Sequence, residues 1–485
     1  MATMTSPAAK TLDGASQAAA IQTVFKAQKA YAPELALTSA RQRIATLKRL
    51  QREMMKRQQL FRDAMMADFS KPATEVDLTE LFPISAEIKH TCAHLSDWMK
   101  PVKVGIPLPM LGSSAEIRYQ PRGVCLIISP WNFPINLTLM PLVSAIAAGN
   151  TVVLKTSELT PHTSQAMTDL VQALFDPREV AVFQGDASVA QELLLLPFHH
   201  IFFTGSPAIG KVVMRAAAEH LASVTLELGG KSPVIVHESA DLEDAVRNIA
   251  WGKFINNGQI CLSPDYVLLP EQLHDSFNQL MEVQVQKFYG KTDEARRASS
   301  SYARIVNDRH FERLQGLLDD ALAKGATVAL GGVTRAEERY ISPTVLGNIT
   351  DDMAIMQEEI FGPILPVLLY TELEDAIAYV NERPRPLALY VFSGKSAPID
   401  HILERTVSGG ACINNNVVHF FNPNIPFGGV NNSGFGSSHG VHGFKTFSHA
   451  RGVVHQQPNL TAVRLMMPPY SNNVERLVDL TIKLF

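Results

Sequence analysis

Cysteine is scarce in this sequence, and its distribution argues against two kinds of structure. The chain has 485 residues and four cysteines, which lack the paired spacing of a zinc site or a disulfide framework. Disulfides are typical of secreted proteins, so we expect reduced thiols in a cytoplasmic protein that binds no metal. The four positions are Cys92, Cys125, Cys261 and Cys412.

Long apolar runs and large patches of one charge are also missing. No apolar stretch approaches the roughly 18–20 residues that span a bilayer. The N-terminus lacks the basic start and apolar block of a secretory signal, and we interpret residues 1–20 as a loose tail. The 43 basic and 47 acidic residues are intermixed along the chain. We therefore expect a soluble protein with neither a membrane span nor a nucleic acid partner.

The apolar residues that are present suffice for more than one hydrophobic core. They make up 46% of the chain, and single cores stop growing at about 250–300 residues, so we expect two domains. Residues 41–69 and 74–99 have the apolar spacing of two long helices. From residue 123 onward, buried strands such as "GVCLIIS" and "TVVLK" alternate with helical stretches, which is typical of a doubly wound parallel sheet.

A second series of strands and helices begins after Gly229 and Gly230. The sequence thus predicts an α/β fold with two doubly wound domains, over residues 21–227 and 228–412. Residues 413–485 are rich in Asn, Gly, Ser, Phe and His, and we interpret them as a bridging arm that returns to these domains. The alternating segment near 112–121 predicts an edge strand or hairpin, which together with the arm would serve oligomerisation.

Cys261 stands in the polar segment "NNGQICLSPDY". A lone cysteine usually packs as a small hydrophobic residue. Here Gly258 permits close approach of the backbone, and amide groups in the turn could lower the pKa of the thiol. The segment therefore favours a reactive cysteine over a packing one.

Two further polar residues stand where strands are predicted to end. Glu227 in "LELGGKSP" is either an ion-pair partner of Lys231 or a poorly solvated general base with a raised pKa. Asn132 in "SPWNFPINLT" is either a turn residue between prolines or an amide donor to a developing oxyanion. Open α/β sheets bind ligands at these strand ends, so both residues are candidates for the site.

Two other strand ends have features that suit a nucleotide. In "FFTGSPAIGK", Gly205 and Ser206 precede a helix whose N-terminus could attract phosphate, although a simply capped helix would look the same. In "LKTSE", Lys155 and Glu158 could hold a ribose diol or could form an ordinary surface ion pair.

In their order along the chain these motifs resemble the aldehyde dehydrogenase superfamily, and its class 3 branch in particular, over nearly the whole length. Within that branch the chain is most similar to the coniferyl aldehyde dehydrogenases. The matching stretches are "SPWNFP", "GNTVVLKTSE", "FTGS", "LELGGKSP", "NNGQICLSPDY", "QEEIFGP", "RPLALYVFS" and "PFGGVNNSGFGSSHGVHGFKTFSH".

The resemblance implies that Cys261 is the nucleophile, Glu227 the general base and Asn132 an oxyanion donor together with the backbone N–H of Cys261. It also implies an NAD cofactor, with NADP as an alternative, and a homodimer. The implied cofactor-binding residues are Trp131, Lys155, Glu158, Gly205 and Ser206 for the adenosine and pyrophosphate, and Glu359 and Phe361 for the nicotinamide half. The chain departs from the family pattern at Asn431–Asn432 and in "INNNVVHFF".

The substrate prediction rests on segments expected to line the entrance, which contain no Arg or Lys. A buried unpaired carboxylate would cost several kcal/mol there, which disfavours anionic semialdehydes. We expect the pocket to contain Ile135, Leu137, Phe420 and Phe421. This set favours an apolar medium-chain or aromatic aldehyde, although the two phenylalanines could instead pack the arm.

The predicted reaction is oxidation of that aldehyde to its acid through a thiohemiacetal and a thioester on Cys261. One alternative is an acylating enzyme that passes the thioester to coenzyme A, for which a water-activating Glu227 would have little use. The other is a nucleotide-binding scaffold protein on the same fold, since a fold does not prove an activity.

Overall fold

The computed structural model describes residues 14–107, 110–458, 460, 464 and 467–484. Its helices are α1 (Gly14–Ala36), α2 (Ala40–Lys56), α3 (Gln58–Phe69), α4 (Ala73–Val76), α5 (Phe82–Trp98), α6 (Asn136–Ala148), α7 (Pro161–Leu174), α8 (Ala187–Leu194), α9 (Pro207–Glu219), α10 (Leu242–Phe254), α11 (His274–Tyr289), α12 (Asp293–Arg297), α13 (Asp308–Ala323), α14 (Ala354–Gln357), α15 (Leu373–Asn381), α16 (Ser396–Arg405), α17 (Gly440–Thr446) and α18 (Asn472–Leu484).

The strands form two large, mainly parallel sheets and two small antiparallel ones. They are β1 (Val102–Val104), β2 (Ser113–Pro121), β3 (Val124–Ile128), β4 (Thr151–Lys155), β5 (Val180–Phe183), β6 (His200–Gly205), β7 (Ser223–Leu228), β8 (Pro233–Val236), β9 (Tyr266–Pro270), β10 (Thr327–Leu330), β11 (Thr334–Arg335), β12 (Tyr340–Ile341), β13 (Thr344–Gly347), β14 (Ile364–Tyr370), β15 (Ala388–Phe392), β16 (Gly410–Ile413), β17 (Gly434–Phe435) and β18 (Ser448–Gln456).

The first large sheet has the order β17-β7-β6-β3-β4-β5, and only β17 runs antiparallel. Its middle strand β3 is apolar throughout because helices cover both faces of the sheet. Cys125 and Ile127 pack in a core with α2, α3, α5 and α6, whereas Leu126 and Ile128 pack in a second core with α1, α8 and α9. The sheet is therefore doubly wound, as the repeated strand and helix pattern predicts.

The second large sheet has the order β10-β13-β14-β9-β8-β15-β16, parallel except for β10. It too is buried on both faces, since Val234 and Ile235, neighbours on β8, belong to different cores. The first sheet reaches Leu228 and the second begins at Pro233, so their adjoining strand ends bracket the glycine pair. The α/β prediction is confirmed.

The C-terminal part of the chain returns to both the first large sheet and a small one. β17 pairs with β7, where Gly434 lies opposite Glu227, and β18 pairs with β2 along nine residues. These pairings bring the segment 436–440, which lies between β17 and α17, next to the end of β7. Among the described helices, none is long and apolar enough to cross a membrane.

Three details differ from the sequence prediction. Residues 14–20 are not loose but begin α1, because this alanine-rich stretch favours a helix that Ile21 and Phe25 anchor in the core. The rest of the predicted tail lies outside the described residues. The segment 112–121 is not an edge strand, since β2 lies between β1 and β18, but it pairs antiparallel with the preceding β1, in agreement with the alternative of a hairpin. The helix predicted over 41–69 breaks at Arg57, and that over 74–99 contains a π-helical turn at Asp77–Leu81.

Candidate active site

Cys261 follows a turn whose backbone requires unusual residues. After α10, Asn256, Asn257 and Gly258 have φ angles of 52°, 56° and 70°, in the left-handed region that Asn and Gly tolerate best. A Cβ atom on Gly258 would lie 2.3 Å from the carbonyl oxygen of Gly362. The segment "NNG" therefore allows a tight turn that leaves Cys261 only partly exposed at the junction of two cavities.

Buried amide side chains join this turn to the loop that carries Asn132. Asn132 donates from Nδ2 to the carbonyl oxygen of Gln259 at 3.0 Å, and Asn256 donates from Nδ2 to the carbonyl oxygen of Asn132 at 3.1 Å. All three residues are buried. The side chain of Asn132 is therefore held against the cysteine turn, and its Nδ2 group has a second hydrogen that it can donate.

A buried ionic cluster beneath these two loops was missed by the sequence reasoning. Lys71 and Glu80 form a fully buried ion pair at 3.0 Å, and Glu80 also accepts from the backbone N–H of Asn136 at 2.7 Å. Glu75 accepts from the backbone N–H of Asn256 at 2.9 Å. The stretch "KPATEVDLTE" contains these charged residues among apolar helical positions, which could have indicated a buried ion pair. The spacing of residues in the sequence does not show which loops the charged side chains contact.

Glu227 lies near the end of β7, is 5% exposed and accepts a hydrogen bond from the Ser438 hydroxyl at 2.5 Å. Burial raises the pKa of Glu227 to about 7, against the opposing effect of Ser438. Lys231 does not pair with it but forms an ion pair with Asp265 and donates to the carbonyl oxygens of Ile355 and Glu358. The ion-pair interpretation of Glu227 is therefore wrong, because the hydrogens of that ammonium group are used elsewhere.

The thiol of Cys261 is held in its protonated form. Burial raises its pKa, and the carboxylates of Glu359 and Glu227 raise it further, while the backbone N–H groups of Cys261 and Leu262 act in the opposite direction. The turn amides thus act in the expected direction, but the pKa of the thiol is raised overall because desolvation and the two carboxyl groups outweigh them.

Two cavities meet at Cys261, and both are also lined by Glu227, Leu137 and Thr204. The first is an open cleft of about 1120 Å³, whose other lining residues are Pro130, Trp131, Asn132, Gly205, Ser206, Pro207, Ala208, Gly229, His310, Arg313, Glu358, Glu359 and Phe361. The second is a cavity of about 620 Å³, whose other lining residues are Thr79, Phe133, Asn136, Trp251, Ile255, Ile260, Leu262, Leu387, Val417, Phe420, Phe421 and Phe427.

The open cleft has the donors and acceptors that a dinucleotide needs. Ser206 caps α9, so the positive end of this helix faces the cleft at Gly205. The Oε1 atom of Glu359 is buried and has no hydrogen-bond partner in the described part of the chain, as a hydroxyl acceptor would be. A Cβ atom on Gly229 would lie 2.0 Å from Glu359, and the rings of Trp131 and Phe361 meet at 5.4 Å. These residues fit a bound nucleotide with a ribose hydroxyl at Glu359.

Lys155 and Glu158 lie at the end of β4, beside the strand that leads to Trp131. The Lys155 ammonium is 3.7 Å from the Glu158 carboxylate and donates to the carbonyl oxygen of Thr156, and burial lowers the pKa of Lys155. Neither residue is among those that line the cleft around Cys261. Because Lys155 is 3% exposed, the alternative of an ordinary surface ion pair does not describe it.

The second cavity is almost entirely apolar, and Glu227 is the charged residue in its lining. Leu137, Phe420 and Phe421 line it as expected, and Phe420 also packs edge-on against Phe427 at 5.0 Å. Ile135 is a correction, since it is fully buried in the core of the first sheet and does not line the cavity. Ile135 directly precedes α6 and packs in a different core from Phe133 and Leu137. The order of apolar residues at the start of a helix does not reveal which of them face the cavity.

Other contributors to the two cavities had no clear signal in the sequence. Trp251 and Thr204 lie in ordinary helix and strand patterns, and Arg313 reaches the loop after α14, where it donates to the carbonyl oxygen of Ile360 at 2.6 Å. Within the described part of the chain, no three His, Cys, Asp or Glu side chains lie close enough to hold a metal ion.

Comparison with known proteins identifies one family. Residues 4–453 match the model of the aldehyde dehydrogenase family. A "Probable coniferyl aldehyde dehydrogenase" of Pseudomonas aeruginosa is 43% identical over 94% of this chain and 95% of its own length. The rat "Aldehyde dehydrogenase, dimeric NADP-preferring" is 41% identical over 88% of this chain and 93% of its own.

The fold of a solved relative agrees with this match. The structure described as the substrate-bound state of Staphylococcus aureus AldH has a TM-score of 0.90 and 38% identity, covering 95% of this chain and 99% of that one. The class 3-like similarity and the predicted fold type are thereby confirmed.

Proposed function

Because the chain belongs to the aldehyde dehydrogenase family, we propose that it oxidises apolar medium-chain or aromatic aldehydes to carboxylic acids with NAD or NADP. The observation that carries this proposal is the meeting of two unlike cavities at Cys261. A nucleotide would enter from the polar cleft and the aldehyde from the apolar cavity, so that both reach one thiol and one buried carboxyl group.

Cys261 is the proposed nucleophile, which attacks the aldehyde carbon after its proton passes to Glu227. The negative charge that develops on the aldehyde oxygen is met by the free Nδ2 hydrogen of Asn132 and by the backbone N–H of Cys261. Asn132 suits this role because its other Nδ2 hydrogen is bound to the carbonyl oxygen of Gln259, which fixes the amide plane.

The cofactor, when bound, would supply a nicotinamide ring as hydride acceptor. Loss of the hydride from the former aldehyde carbon would leave the acyl group on Cys261 as a thioester. Gly205 and Ser206 at the start of α9 would hold its pyrophosphate, and Trp131 would support the adenosine half. Glu359 would accept from a ribose hydroxyl, and Phe361 would lie along the nicotinamide half.

Lys155 and Glu158 would hold the adenosine ribose, and the Glu158 carboxylate would repel a 2′-phosphate. We therefore propose a preference for NAD, even though one relative is described as NADP-preferring. Lys155 counteracts this preference because its ammonium group lies close to the same carboxylate.

Glu227 is the proposed general base that activates water against the thioester. A pKa of about 7 is suited to this task, since the carboxyl group then takes and releases a proton near neutral pH. This role distinguishes the proposal from an acylating enzyme that needs coenzyme A, and the joint presence of Cys261, Asn132 and Glu227 argues against a scaffold protein without activity.

The experiment that tests the proposal is product analysis without coenzyme A. Purified protein, NAD and octanal or cinnamaldehyde should yield one equivalent of carboxylic acid per NADH, over many turnovers. NADH formation that requires coenzyme A would show an acylating enzyme, and no aldehyde-dependent NADH or NADPH would refute the proposal.

The cellular setting is part of the same proposal. All four cysteines are free in the structure, which supports reduced thiols and hence a cytoplasmic location.

A further inference from the structure

A small separate cavity adjoins Glu227 and is distinct from the two that meet at Cys261. It is small, with room for about one water molecule. Its lining residues are Glu87, Leu137, Met140, Pro141, Ser144, Phe202, Glu227, Phe420, Ser438 and His439. The cavity thus has a carboxyl group at each of two places in its wall, with Ser438 and Ser144 as additional polar groups.

Glu87 lies on α5 and is 2% exposed. Its Oε1 atom accepts from the backbone N–H of Gly440 at 2.7 Å and from the hydroxyl of Thr91 at 3.4 Å. Its Oε2 atom is buried and has no hydrogen-bond partner among the described residues. A buried carboxyl group with one unpartnered oxygen is costly to retain, which calls for a role beyond packing.

The two carboxyl groups are joined through one short segment of the C-terminal arm. Ser438 donates to Glu227, and two residues later the backbone of Gly440 donates to Glu87. Burial raises the pKa of each carboxyl group to about 7. The two carboxyl groups therefore have similar affinities for a proton.

A path continues from Glu87 towards solvent. A neighbouring cavity of about 260 Å³ shares Glu87, Met140, Phe420 and His439 with the first one. Its lining also includes Phe82, which is 56% exposed. The linings of the two adjoining cavities thus extend from Glu227 to the exposed Phe82 at the start of α5.

Among the residues that line these two cavities, Glu87 is the group suited to accept the proton. His90 lies one turn further along α5, outside both linings, and burial lowers its pKa. His439 contributes no charge, since burial lowers its pKa to about 3, and Ser438 and Thr91 carry none at neutral pH. Glu227 is the charged partner across the cavity. Of the groups between the base and the surface, Glu87 is thus the one that takes up and releases a proton near neutral pH.

We propose that Glu87 drains protons from Glu227, an inference that rests on the proposed role of Glu227 as general base. Glu227 sheds a proton twice in each turnover, once after it has taken the proton of the Cys261 thiol and once after it has taken a proton from the attacking water. Each time the O–H bond on Glu227 breaks, a water molecule in the cavity passes the proton on, and an O–H bond forms on Glu87. Glu87 then releases the proton to solvent past Phe82, and Glu227 is ready for the next turnover.

The test is a Glu87→Gln protein, which keeps the size of the side chain and an acceptor for the N–H of Gly440. In rapid-mixing experiments with NAD and octanal, the first turnover of NADH should keep its rate, because Glu87 acts after hydride transfer. The following steady-state rate should fall ~10-fold in dilute buffer, and high concentrations of imidazole should restore it. Glu192→Gln, the same change at an exposed carboxyl group on α8 away from these cavities, should behave as wild type.

Each other outcome contradicts the inference. A steady-state rate within twofold of wild type would show that protons leave Glu227 by another path. A loss that imidazole does not restore would indicate that Glu87 only supports the fold. If Glu87→Gln is poorly folded, Glu87→Asp should still turn over without imidazole. The proposed function itself fails only if wild-type protein forms no acid, which the same assay measures first.

Discussion

Cys261 illustrates at the residue scale how local chemistry and burial can oppose each other. The polar turn that makes it look reactive also desolvates it between Glu227 and Glu359, so its pKa is raised in the protein without ligands. The thiol therefore favours its protonated form, and we propose Glu227, in the wall of the same cavity, as the acceptor of its proton.

Replacing this thiol gives the first prediction. Cys261→Ala should lose aldehyde oxidation by at least ~10³-fold, because no other group in the two cavities can form the thioester. Cys412→Ala, a change at another partly exposed cysteine, should retain activity within a few-fold. Circular dichroism should show both proteins folded, and turnover by Cys261→Ala would contradict the account.

The raised pKa of Glu227 predicts the acid limb of the pH profile. A general base works only when deprotonated, so the rate of thioester hydrolysis should fall about tenfold per pH unit below a pKa of about 7. Ser438→Ala removes a hydrogen bond that favours the carboxylate, and should move this limb to higher pH. A limb that stays near pH 4.5 would show that Glu227 is not the base.

The third residue-scale prediction concerns the cofactor. Glu158→Gln removes the charge that opposes a 2′-phosphate and keeps Lys155, so kcat/KM for NADP should rise relative to NAD by about tenfold. Glu179→Gln, at a carboxylate outside the proposed nucleotide site, serves as the control. A wild-type preference for NADP, or an unchanged ratio in Glu158→Gln, would contradict the proposed role of Glu158.

At the scale of elements, the site is built from loops at strand ends. The sequence patterns locate these loops along the chain but do not show which loops contact each other. Strand ends identified the positions of Asn132 and Glu227, because parallel strands present their carboxyl ends at one edge. The partners of these loops lie far away in sequence, as with Glu75 and Asn256 or Ser438 and Glu227. No periodicity encodes such contacts, so the supporting residues could not be predicted from the chain alone.

The buried pair Lys71–Glu80 supports two of these loops and gives a stability prediction. Lys71→Met should lower the free energy of unfolding by about 3–5 kcal/mol, because Glu80 would remain buried without its counter-charge. Lys100→Met breaks an exposed pair with Asp97 and should cost less than about 1 kcal/mol. If urea unfolding shows equal losses of unfolding free energy for the two variants, the buried pair stabilises the protein no more than the exposed one.

At the scale of the whole molecule, the sheets were the most predictable feature. Strands buried on both faces are apolar throughout, and such runs survive in the sequence as "GVCLIIS" or "TVVLK". The wrong details, residues 14–20 and the edge position of 112–121, depend on which distant segment covers a helix or pairs with a strand. The division into two domains with an arm stays a prediction.

The small sheet of β1, β2 and β18 bears on oligomerisation. β18 is largely exposed and, among the described strands, pairs only with β2, so its other edge could pair with a second copy. We predict a homodimer by light scattering at micromolar concentration. Val454→Pro, at an exposed position of β18, should shift the protein towards monomer, whereas a wild-type protein that is only monomeric would refute the prediction.

The central claim is that an apolar cavity delivers uncharged hydrophobic aldehydes to Cys261. It is tested most directly by kcat/KM for acetaldehyde, octanal, benzaldehyde, a cinnamaldehyde and succinate semialdehyde under one set of conditions. Burial of several more methylene or ring carbons should favour octanal, benzaldehyde or the cinnamaldehyde over acetaldehyde by at least about tenfold. The highest kcat/KM for acetaldehyde or for the anionic semialdehyde would contradict the account.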